Sequence, residues 1–298
     1  MNFIRNFIQI IVKSSVLMVI IGAVMISFSG VYVKLAHVSP TVSGFYRMFF
    51  GGICLVLIVF LKKDKIWDGL DTFILLLFCG LFFALDLFVW HKSVLYIGPG
   101  LSTILANFQV FFLAIIGITF LGEKKGIKPF LSIPMAIIGL FLIVGIKWRM
   151  LDHEYKIGIL LGLLTAIFYT AYLLTLRSVQ TNKNRLSPFA NLSIISISSA
   201  CILLVISLTQ GESLLIPDTQ SYISLLAYGI FSQVLGWVLI SKGMPNLDIS
   251  IVGLILLLQP TLAFIWDILF FHHKTTITGI IGVIITLTAI YLGSTRNR

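Results

Sequence analysis

The chain has 298 residues, 58% of them apolar and 11% charged, with a mean hydropathy of +1.07. That balance excludes a water-soluble globule, in which about a quarter of the residues carry charge. The net charge of +10 would fit a nucleic-acid partner only on a soluble face, and no polar joint is long enough to build one.

In chain order, apolar stretches run over residues 16–35, 41–61, 72–95, 101–121, 128–146, 157–176, 188–208, 221–241, 249–271 and 276–293. Each approaches the roughly twenty residues that cross a hydrocarbon core of about 30 Å. The pattern predicts an all-α integral membrane protein of ten transmembrane helices, arranged as two inverted five-helix repeats. The expected divisions are a cytoplasmic N-terminal segment (1–15), a first repeat (16–146), an outer connector (147–156), a second repeat (157–294) and a cytoplasmic tail (295–298).

Before the first stretch, Phe3, Phe7, Ile10 and Ile11 lie opposite Arg5, Gln9 and Lys13 at helical spacing. A surface helix and a basic tail both fit. The run from Val16 to Leu35 exceeds a signal-peptide core, so the segment is expected to stay attached. With the N-terminus inside, fourteen Lys and Arg residues fall on inner joints and six on outer ones, while Arg47 lies within a span. The positive-inside rule then predicts cytoplasmic N- and C-termini.

A shift of 150 pairs Lys92 with Lys242, Gln109 with Gln259 and Phe120 with Phe270; a shift of 140 pairs Gly22, Phe28 and Tyr32 with Gly162, Phe168 and Tyr172. An odd number of crossings per half makes the second copy enter from the opposite side. Five plus five spans, Pro40 opening a span that carries Arg47, Gly122-Glu123 closing the fourth span and Gln259-Pro260 inside the ninth together resemble the drug/metabolite transporters of the EamA type. The resemblance implies alternating-access movement of small metabolites without ATP, in a bacterial plasma (inner) membrane. Two departures stand out: Gln109 is followed by Val110, not Pro, and Gly122-Glu123 becomes His272-His273 in the second half.

Asp86 is the most unusual residue, because an ionised carboxylate near mid-bilayer costs about 2.5–3.5 kcal/mol. Trp90 follows one turn later, and the eighth span repeats the spacing with Gln233 and Trp237. Inverted symmetry would bring both pairs near the centre. The bland alternative is an Asp86–Arg47 staple between helices. Arg47 offers a planar fork for a carboxylate or phosphate, and Asn107, Gln109, Gln259, Tyr169 and Tyr172 are further candidates for substrate contact or helix packing. The expected substrate-binding set is Asp86, Trp90, Arg47, Asn107, Gln233, Trp237, Gln259 and Tyr172. Glu123-Lys124-Lys125 reads as an inner charge cluster, and Gly158-x-x-x-Gly162 as a close helix approach.

His91, His272 and His273 lack metal-ligand spacing, and Cys54, Cys79 and Cys201 sit in apolar spans without a partner motif. No P-loop, H-E-x-x-H or G-x-S-x-G motif occurs, so no catalytic residue, metal or cofactor is expected. The leading expectation is a non-ATP transporter or facilitator of small polar organic metabolites, amino-acid-like zwitterions favoured. Its expected partners are a small-molecule substrate, membrane lipid and a proton or counter-substrate, with no nucleic acid; monomer and homodimer stay open. The alternatives are an intramembrane enzyme pairing Asp86 with His91, or a membrane scaffold. Against the former, five residues along a helix point about 140° apart.

Overall fold

A computed structural model describes residues 14–123, 127–144, 153–181, 186–271 and 276–294. The N-terminal amphipathic pattern, Lys124-Lys125, most of the connector, His272-His273 and the C-terminal tail lie outside the described residues.

Helix starts follow local capping chemistry. Helix α1 (Ser15–Ser27) begins where the Ser14 hydroxyl accepts from the Leu17 amide at 3.3 Å. After a break at Phe28, α2 (Ser29–Leu35) completes the first span, and the Ser27 and Ser29 hydroxyls take up the Val24 and Ile26 carbonyls. Helix α3 (Pro40–Lys62) opens with a Ser39 cap and Pro40 in its first turn, where no amide is missed.

Helix α4 (Leu70–Ala106) is 37 residues long, far more than a bilayer needs. It does not run straight. Ser93 and Ser102 would stand about 13.5 Å apart along a straight helix, yet their hydroxyls are 2.9 Å apart. The chain therefore doubles back around Gly98-Pro99-Gly100, so the expected break between the third and fourth spans is a reversal made within helical backbone. After a further break at Asn107-Phe108 come α5 (Gln109–Thr119) and α6 (Ile127–Val144).

The second half holds α7 (His153–Thr181) and α8 (Pro188–Thr209). One continuous span then comprises α9 (Thr219–Ala227), a π-helical segment (Tyr228–Gly236), α10 (Trp237–Gly243) and a 3₁₀ turn (Met244–Asn246). A break at Leu257 separates α11 (Ile249–Leu256) from α12 (Leu258–Phe271), and α13 (Ile277–Ser294) ends the chain's described part. The breaks at Asn107 and Leu257 are 150 residues apart, the offset that pairs Gln109 with Gln259.

Among the described residues, seven helical stretches are long and apolar enough to cross a bilayer, while Gln109–Thr119 and Ile277–Ile290 are shorter apolar helices. The architecture is all-helical and multi-pass. Helices pair as α1 with α10, α3 with α8, α4 with α7, α5 with α11 and α6 with α13. Exchanging the two halves converts the α1–α10 pairing into α7–α4 and returns α3–α8 and α6–α13 to themselves. Gly158 and Gly162 seat α7 against α4, where Tyr96, Leu105 and Ser93 leave no room for a side chain.

Candidate functional site

The π-helical segment decides what surrounds Arg47. In an α-helix Tyr228 and Gln233 would point about 140° apart, but π-helical turns bring residues five apart onto one face. Both reach the guanidinium: Arg47 Nε donates to Gln233 Oε1 at 3.2 Å and Nη1 donates to the Tyr228 hydroxyl at 3.2 Å. Gln233 is itself anchored by donating to the Ser196 hydroxyl at 2.9 Å. The guanidinium carbon also lies 5.0 Å from the Tyr228 ring centroid and 5.4 Å from that of Phe83, within cation–π range. Among the described residues, its second terminal nitrogen has no hydrogen-bond partner.

Arg47 is 4% exposed, and what exposure it has faces a cavity of about 340 Å³. Asp86 lines the same cavity at 8% exposure. Among the described residues its carboxylate makes neither a hydrogen bond nor an ion pair, so the expected Asp86–Arg47 staple is not formed. Opposite charges thus border one space without neutralising each other directly.

Aromatic rings form the floor. Phe83 stacks on Tyr172 at 4.1 Å between centroids, and Trp237 stands edge-on to both at 5.3 and 4.8 Å. Trp90 and Trp237 both line the cavity. Asn107 lines it at the break after α4, although its amide nitrogen donates to its own helix at Thr103. Gln259, just past the break before α12, lines it and donates to the Tyr169 hydroxyl at 3.5 Å.

Six of the eight expected residues therefore meet at one cavity, and two stand behind it. Gln233 is turned onto Arg47 and Ser196 by the π-helical segment, which breaks the α-helical register expected with Trp237. Tyr172 is fully buried beneath Phe83 and Trp237. Tyr228 and Phe83 were not singled out by sequence; no motif marks the partners of a buried Arg. His91 lies away from the cavity, against Gly44 and beside the Trp90 ring, so it forms no acid–base pair with Asp86.

The cavity is not symmetric along the bundle. It reaches Lys34 and Phe271 at one end, where the ammonium sits 4.6 Å from the ring centroid. The other end is closed by α5 packed on α11.

A family model of the EamA-like transporter family matches residues 13–145 and 156–295, one copy for each half. The chain belongs to the EamA-like transporter family. Members of this family are membrane transporters of small molecules, and the two matches make the chain a two-repeat, multi-pass member. A crystal structure of a protein 13% identical to it superposes with a TM-score of 0.81, covering 94% of this chain and 96% of that chain. At that identity the likeness is one of fold. A search of curated proteins gives no match.

Proposed function

We propose that this EamA-like chain is a secondary transporter or facilitator of small polar organic metabolites, with amino-acid-like zwitterions as the favoured class. The observation that carries the reading is that Arg47 and Asp86 border one cavity with no ion pair formed between them. Asp86 suits an ammonium, the unused edge of Arg47 suits a carboxylate, and Trp90 and Trp237 supply apolar walls for a side chain. A cavity of about 340 Å³ falls at the small end of ligand sites.

Alternating access is supported by the helix pairing. Exchanging the halves turns the closed α5–α11 contact into one between residues 101–107 and α12, and at that place the cavity lies instead. One conformation of an inverted-repeat machine has this form: the same contact made at one end and open at the other. Ten helices in two five-helix repeats (16–146 and 157–294), termini in the cytoplasm of a bacterial plasma membrane and a proton or counter-substrate as second partner complete the proposal. Counterflow in liposomes containing only this protein tests it. Labelled neutral amino acids should accumulate against their unlabelled form; no counterflow across a panel of zwitterions and related metabolites would remove the reading.

A further inference from the structure

Gly122-Glu123 does more than end the fourth span. Gly122 adopts a left-handed backbone (φ 66°), which turns the chain back so that the Glu123 amide donates to the Gly117 carbonyl at 2.9 Å. The Glu123 side chain then lies over Gly117, where any Cβ would collide with its carboxylate. Folded back in this way, the carboxylate is 5% exposed and reaches the first turn of α11. It accepts from the Ile249 amide, from the Ser250 amide at 3.4 Å, from the Ser250 hydroxyl at 2.8 Å and from Arg177 Nη1 of α7 at 3.3 Å. A carboxylate at a helix N-terminus also meets the positive end of the helix dipole. Three spans are thus fastened at the closed end by one side chain.

What this fastening covers is visible in the repeat. Gln259 borders the open cavity, whereas its counterpart Gln109 is fully buried, and both amide atoms of Gln109 lack a hydrogen-bond partner among the described residues. A buried, unsatisfied amide is costly. Its position is the one that would border a cavity opening through the α5–α11 end.

We infer that Glu123 is the latch of the closed end, and that its release opens a mirror half-site in which Gln109 takes the place Gln259 holds in this conformation. Sequence gives the opposite end no equivalent carboxylate, since His273 stands at the matching position. The latch therefore biases the protein toward the conformation seen here. Glu123 is a positioning residue: it sets the balance of states and touches no substrate.

The purpose of such a latch rests on the transport reading, but its test needs no substrate. In protein with Cys54, Cys79 and Cys201 replaced by Ala, single cysteines at position 109 or 259 are alkylated by a membrane-impermeant thiol reagent. The Gln259→Cys protein should react fast and the Gln109→Cys protein slowly. Adding Glu123→Gln should raise the rate at 109 at least about tenfold and lower that at 259, a reciprocity that loosened folding, which raises both, cannot mimic. Unchanged rates in folded Glu123→Gln protein would overturn the latch, as would a rise at both positions. If Glu123→Gln does not fold, Ser250→Ala and Arg177→Gln each remove one bond and should shift the two rates reciprocally by about threefold; no shift in either would overturn it equally. A reciprocal shift in protein that moves no substrate in liposomes would leave the latch and remove the transport reading.

Discussion

The helical segments broken at Asn107 and at Leu257 are built alike and used differently. Both break near their middle, at Asn107 and Leu257, and both carry a Gln two residues beyond the break. Past the first break, α5 is sealed against α11 and Gln109 is left without a hydrogen-bond partner among the described residues; past the second, α12 stands away from residues 103–107 and Gln259 meets both the cavity and Tyr169. Equivalent sequence in inequivalent surroundings is what the proposed alternating access requires, one contact made at one end and open at the other. A repeat kept only for packing would close both ends.

The comparison breaks most visibly at Asp86, which has no charged counterpart across the repeat. A hydrogen bond to a charged group contributes about 1.5–3 kcal/mol. Asp86→Asn should therefore lower initial transport rates about ten- to a hundredfold while the protein remains folded. Rates measured at equal protein in liposomes check this, and wild-type transport by the variant would leave the carboxylate without a role at the cavity.

A smaller effect is expected behind the cavity. A Cβ at Gly51 would stand 2.6 Å from both Cβ and Cγ of Gln233 and 3.1 Å from the Gly229 carbonyl. Gly51→Ala must push α3 from the π-helical segment, at about 1–3 kcal/mol of stability, and move Gln233 off Arg47. Thermal unfolding in detergent should fall by several degrees, and transport by about tenfold. Lost stability with intact transport would show that Gln233 braces the helices without aligning the guanidinium.

How much of this was legible follows from the physics of each residue. Apolar runs are long because the bilayer demands it, so seven of the ten expected spans are matched by helices long enough to cross it among the described residues, although the helix reversal near Pro99 and the breaks at Phe28, Asn107 and Leu257 could not be read. Charge and amides inside such runs are costly, which is why Arg47, Asp86, Asn107, Gln109, Gln233 and Gln259 stand out; four of them border the cavity, while Gln233 braces Arg47 behind it and Gln109 is buried at the closed end. Tyr228 was missed because α-helical periodicity hides a partner that only a π-helical turn presents. Glu123 looked like an inner charge cluster, since nothing in one sequence shows that a left-handed Gly122 throws its carboxylate onto another helix. Tyr172 reads from its place on the sixth span as a vestibule or interface aromatic, and stacking on Phe83 holds it beneath the cavity.

The smallest expected effect is at the open end, where a second clasp looks superficially like the Glu123 latch. Asp218 caps α9 by accepting from the Ser221 amide at 2.7 Å, and His37, just past α2, meets its carboxylate at 2.7 Å. The His37 hydrogen bond, helped by the Ser221 amide, holds the Asp218 carboxyl below its ordinary value of 3.8. A depressed carboxyl stabilises the fold above that ordinary value and loses its contribution only as pH falls through the lowered one. Amide protection around Ser221, corrected for intrinsic exchange, should therefore gain nothing from this carboxyl between about pH 5 and pH 8 and weaken only in stronger acid. The clasp is solvent-exposed, with side-chain exposures of 58% for His37 and 39% for Asp218, and exposed pairs contribute little. It also joins α2 to α9, elements of spans already packed together along their length, so breaking it opens no contact across the cavity. Asp218→Asn should change that protection by less than about fivefold and leave the labelling ratio of positions 109 and 259 where it was. A shift in that ratio as large as the one expected from Glu123→Gln would show that both ends are latched, and the contrast between them would be lost.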